Sequence, residues 1–138
     1  MYLIRYIVVG QREATKIPLV FYRTTAGIEP VRKWLKGLAP DERKAVGTDL
    51  MRAQWRWPIG MPHARPLGGG LHELRSNLPG GRTARLLFFA AGSQLIIVVG
   101  FIKETRATPR MEIDLAQARK QAWEQRDRRG WEEDADGE

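Results

Sequence analysis

Three cations stand at the ends of neighbouring apolar runs. Arg75 closes Leu71-His72-Glu73-Leu74-Arg75, Arg85 opens Arg85-Leu86-Leu87-Phe88-Phe89, and Lys103 ends the run that begins at Leu95. Fixed cations on a rigid support can hold a phosphodiester and neutralise the charge that builds as it is cleaved, with no metal required. The plain alternative for any one of them is a solvated strand end or an edge guard against aggregation. Three such residues on adjacent strands of a basic chain weigh against that alternative.

Alternation of side chains along a strand puts Arg85, Leu87 and Phe89 on one face. Leu71, Glu73 and Arg75 share a face in the preceding run, and Lys103 is in phase with Val99 and Phe101. Glu73 is expected to pair with an arginine rather than act as a base. The turn segments Asn77–Gly81 and Ala91–Ser93 contain glycine and are short, which predicts an antiparallel meander of three strands over about 71–76, 83–90 and 94–103. Consecutive hairpins would bring the three cations into one neighbourhood.

Upstream, Ile17–Tyr22 reads as a further strand. Val31, Trp34, Leu35 and Leu38 fall at helical spacing behind Pro30, and Val46, Leu50, Ala53 and Trp57 follow Pro40 in a second helix. The short break between them predicts a helix hairpin. Residues 59–70 read as a connection rich in Gly and Pro. Thr108 is expected to cap, and Pro109 to open, a last helix running to about Arg126. The predicted fold is α+β: an antiparallel sheet of about four strands, a helix hairpin on one face and a C-terminal helix. The expected divisions are 1–16, an extension or edge strand; 17–126, the working domain; and 127–138, an acidic disordered tail.

At 138 residues one domain with a real core is expected. All 23 Lys and Arg precede Gly130, while five of the 16 acids follow it. The body therefore carries eleven acids against 23 bases, a charge of +12, and the tail −5. A body this basic suits a polyanionic partner, nucleic acid first. There is no cysteine, which excludes disulfides and thiolate metal sites and fits a reducing cytoplasm. Met1–Val9 is too short and too interrupted, by Arg5, for a signal peptide or a spanning helix. A cytoplasmic protein without membrane attachment is expected.

Taken together, Leu71-His72-Glu73-Leu74-Arg75, Arg85-Leu86-Leu87-Phe88-Phe89 and Gly100-Phe101-Ile102-Lys103, running on to Thr105 and Thr108-Pro109, resemble the HigB branch of the RelE-like toxins, which includes many phage-derived members. Phe21-Tyr22, Gly27, Pro30-Val31, Leu35, Leu38 and the stretch from Pro62 through Gly70-Leu71 extend the resemblance over roughly residues 17–123. His72 stands where an aromatic is usual, and Glu104 where the family commonly has a second lysine.

The resemblance implies the RelE-like fold and a metal-independent endoribonuclease acting on mRNA, on the ribosome or free of it. It also implies a partner antitoxin with a helix-turn-helix. RNA would supply the nucleophile as its own 2′-OH. Arg75 and Arg85 are then expected to clamp phosphate and stabilise charge, because a guanidinium stays charged and binds phosphate bidentately. Lys103 would be a second stabiliser, or an acid or base if neighbouring cations lowered its pKa. Arg82, Arg106, His63 and Arg65 are the expected RNA-binding residues, with His63 a candidate proton carrier. No cofactor is expected, since the two histidines, His63 and His72, show no metal-ligand spacing. Two other functions fit the composition: a nucleic-acid-binding module that does not cleave, and a prophage assembly or regulatory protein.

Overall fold

A computed structural model describes residues 16–57, 64–104 and 107–136, with 129–136 described by backbone alone. The order of elements is β1 (Leu19–Phe21), α1 (Pro30–Lys36), α2 (Pro40–Arg56), β2 (Ala64–Gly68), β3 (Leu71–Asn77), β4 (Thr83–Ala91), β5 (Gln94–Lys103) and α3 (Arg110–Asp136). Among the described residues no helix is long and apolar enough to cross a membrane.

The α+β class holds, with both helical regions in place. The sheet has five strands rather than about four, in the order β1-β5-β4-β3-β2, and it is mixed rather than wholly antiparallel. β3, β4 and β5 form the expected meander. β1 runs parallel to β5, pairing Leu19 with Leu95 and Phe21 with Ile97. β2 is the added strand, antiparallel to β3 within the segment expected to be a connection. Its Pro66 and Gly68 disguise it; an edge strand tolerates a proline that a central strand cannot. Gly69 and Gly70 close this hairpin at φ of +62° and +82°, and a Cβ on Gly69 would run into the amide of Gln117 from α3.

Helices cover both faces of the sheet. On one face Val31 of α1 and Val46, Leu50 and Ala53 of α2 bury against Leu74, Leu86, Phe88 and Ile97. Trp34 lies so close over Gly100 that an added Cβ would sit 2.6 Å from the indole. Ser76, buried in β3, donates to Asp49 of α2 at 2.6 Å. At the start of α2, Glu42 accepts from the Ala39 N–H at 3.3 Å.

On the other face Ile113, Ala116 and Trp123 of α3 pack against Leu71, Leu87, Phe89, Ile96, Val98 and Val99. β5 carries a bulge there: Leu87 pairs with Val99 but Phe88 with Ile97. Val98 is thereby left without a ladder partner, and its carbonyl accepts from Arg119 of α3 at 2.6 Å. α3 packs over the Leu71–Phe89–Ile96 end of this face, and Glu73, Arg75, Arg85 and Lys103 lie toward the other end.

Two helix boundaries differ from expectation. The first α3 hydrogen bonds go to the carbonyl of Pro109, so Pro109 rather than Thr108 is the cap, and the Thr108 hydroxyl is used elsewhere. α3 also runs on to Asp136 instead of ending near Arg126. Half of the added residues, two Arg, two Glu and Ala135, are good helix formers, and one interior glycine, Gly130, costs only about 1 kcal/mol. Residues 127–136, expected to be disordered, therefore have helical backbone. Residues 1–15 of the expected extension lie outside the described residues.

Candidate functional site

The meander sets the register that the sequence left open. Arg75 of β3 lies directly opposite Arg85 of β4. Arg85 in turn faces Phe101 of β5, and the next pair along the same face is Thr83 with Lys103. Arg75, Arg85 and Lys103 therefore meet at one end of the α3 face. Arg65 joins them from β2, directly opposite Glu73.

Glu73 is the centre of the group. Its side chain is 1% exposed, and Arg85 beside it is 5% exposed. Oε1 of Glu73 accepts from Arg85 Nη1 and, at 2.9 Å, from Arg65 Nε. Oε2 accepts from the hydroxyl of Thr108. Burial pushes the Glu73 carboxyl toward its neutral form, but the bonds from Thr108 and Arg65 and the charge of Arg85 outweigh it and hold the pKa below the usual carboxylate value. The expectation that Glu73 pairs with arginine is met twice over.

The cations differ in how free they are. Arg85 is buried and engaged, and its Nε is enclosed without a hydrogen-bond partner among the described residues. Arg75 is exposed and donates no hydrogen bond to a described side chain. Lys103 is half-buried. Its ammonium loses its proton more easily than an ordinary lysine, first through desolvation, then through the charges of Arg85 and Arg75, with Arg65 adding and Glu73 opposing. The direction suits an acid or base, although desolvation rather than the neighbouring cations is its largest cause.

Arg82 is not part of this group. It leaves the β3–β4 turn toward α2, where its Nη2 and Nε meet Glu42 Oε2 at 2.5 and 3.1 Å. The bond from Arg82 is the main reason that the Glu42 carboxyl lies below its usual value. Expected as an RNA-binding residue, Arg82 here ties a turn to a helix. His63 and Arg106 lie outside the described residues.

His72 faces the opposite side of the sheet. Its ring stacks on Phe88 at 5.5 Å and meets Trp57 edge-on at 4.8 Å. Burial lowers its pKa and favours the neutral ring, against a hydrogen bond with the Gly70 backbone. A neutral imidazole packed between aromatic rings fills an aromatic position, which is the role the resemblance assigns to residue 72. Thr108 is the residue that sequence reasoning misplaced. A threonine before a proline and a helix signals a cap, and nothing local points to a carboxylate on β3.

The cluster has the donors and charge to hold an anion beside a lysine that gives up its proton more readily than usual. Residues 33–121, most of the region carrying these elements, match the family described as phage-derived protein Gp49-like (DUF891). The chain belongs to this Gp49-like family. The family is associated with toxin–antitoxin systems, which suggests an antitoxin as partner. No curated protein matches the chain.

Proposed function

We propose that this Gp49-like protein is the toxin of a toxin–antitoxin pair, of the HigB type within the RelE-like toxins, and that it cleaves mRNA on the ribosome. The observation that carries the reading is the convergence of Arg75, Arg85, Lys103 and Arg65 at one end of one face of the sheet. In the proposed reaction the 2′-oxygen attacks the adjacent phosphorus and the bond to the 5′-oxygen breaks. A 2′,3′-cyclic phosphate and a 5′-hydroxyl result.

Arg75, exposed and without a hydrogen-bond partner among the described side chains, contacts the phosphate. Arg85 contributes a fixed charge from beneath, because Glu73 holds it in the sheet. Lys103, whose proton is loosened, moves a proton at the 2′- or 5′-oxygen, or stabilises the phosphorane charge. The partner is an antitoxin with a helix-turn-helix.

Induced expression with mapping of transcript ends tests the reading. Wild type should arrest growth and cut transcripts, and Arg75→Ala should do neither while remaining folded. Arrest by Arg75→Ala at the wild-type rate would remove Arg75 from the site.

One observation favours a second reading. Arg85 is already neutralised by Glu73, which weakens the charge available to a transition state and suits a module that binds RNA without cutting it. Expression without arrest, together with RNA binding by the purified protein, would establish that reading instead.

A further inference from the structure

Arg65 combines two properties that rarely occur together. Its side chain is 55% exposed, yet two of its nitrogens are committed. Nε donates to Glu73 Oε1 at 2.9 Å and Nη2 to Thr108 Oγ1 at 3.4 Å. Thr108 itself donates to the second Glu73 oxygen, so Arg65, Glu73 and Thr108 close a ring of hydrogen bonds across β2, β3 and the approach to α3. A surface arginine ordinarily samples many rotamers. One held at Nε and Nη2 is set in direction before any ligand arrives, and loses less freedom on binding. Nη1 has no partner among the described residues and remains available to an anion.

The anchor is well made for this task. Glu73 is enclosed, so water does not screen its charge, and the lowered carboxyl keeps it ionised. Arg85 supports the same oxygen from β4. Thr108 is one residue ahead of the α3 cap, so the ring also fixes where the chain enters α3. A hydroxyl that served only to staple α3 to the sheet would have no need of the exposed arginine.

We propose that Glu73 and Thr108 are positioning residues for Arg65, which they hold with Nη1 set to donate to a phosphate of single-stranded RNA. This deepens, and rests on, the nuclease reading above. Arg65 thus acts at the reacting strand with Arg75, rather than as a general RNA-docking charge.

The test is a double-mutant cycle on the full chain, read by cleavage of a reporter mRNA in a reconstituted translation reaction and by affinity for a single-stranded RNA oligonucleotide. Arg65→Ala should lower the cleavage rate by about a hundredfold, the scale on which a misplaced group acts. Arg65→Lys should lower it as much, because an ammonium cannot hold Glu73 and present a second arm. Thr108→Val should do nearly the same with no change of charge, and Thr108→Ser should restore the rate. Adding Thr108→Val to Arg65→Ala should cost nothing further.

Multiplying losses in the double variant, or a fully active Arg65→Lys, would overturn the proposal and leave the nuclease reading intact. The Arg65→Lys arm alters an exposed side chain, so it decides the matter even if Thr108→Val does not fold. A wild-type protein that neither binds nor cuts RNA would remove both.

Discussion

The two faces of the sheet solve the burial of charge in opposite ways. Under α1 and α2 the core is apolar, and its charged pairs, Glu42 with Arg82 and Asp49 with Arg52, lie at the margin. On the α3 face a carboxylate and a guanidinium are enclosed in the sheet itself, and other cations gather around them. The first arrangement stabilises by excluding water. The second forgoes part of that gain: an ion pair of this kind is seldom more stabilising than well-packed apolar residues would be. Charge kept inside a sheet at such a cost points to a task for that face other than holding the fold.

Removing the enclosed carboxylate should separate the faces most strongly. Glu73→Ala leaves Arg85 buried without its counter-charge and should destabilise the fold by about 3–5 kcal/mol, read from urea unfolding. The same residue sets a pH window. Its folded pKa lies below the unfolded value, so the stability it adds is fully present above about pH 4.3 and is lost as the pH falls through the folded pKa. Glu73→Gln should flatten that acid limb of the unfolding profile; an unchanged limb would mean that other carboxylates govern it.

On the apolar face, Gly100→Ala should cost about 1–3 kcal/mol, because the new methyl meets the Trp34 ring in a packed core. A stability equal to wild type would show that α1 can shift aside freely. The smallest effect is expected at the margin. Arg82→Ala should change stability little, and by less as salt is raised, because the Arg82 side chain is half exposed. A large, salt-independent loss would make the β3–β4 turn as dependent on charge as the α3 face.

What could be read from the sequence follows the range of each interaction. β3, β4 and β5 were legible because their turns and apolar runs are local, and α1 and α2 because prolines mark their starts. β2 was hidden by Pro66 and Gly68, whose meaning depends on being at a sheet edge. The parallel pairing of β1 with β5 joins segments far apart in the chain and leaves no local trace. Short hairpins brought Arg75, Arg85 and Lys103 into one neighbourhood, but Lys103 shares their face only because of the β5 bulge, which alternation does not show. The Arg82 ion pair left no trace because its partner, Glu42, is distant in sequence, and Thr108 misled because a capping pattern conceals a hydroxyl directed at β3.

The bulge in β5 acts as a parity switch. Counted from Ile96, which packs under α3, strict alternation would send Gly100 and Ile102 toward α3 and put Phe101 and Lys103 beneath α1. The one extra residue at Val98 exchanges these two sets: Gly100 comes to lie against Trp34, and Lys103 comes out beside Arg85. The distance along β5 from its hydrophobic half to its cationic half is therefore an odd-or-even quantity. A length change of a single residue there would not weaken the cluster by degrees but would take its lysine to the other side of the sheet.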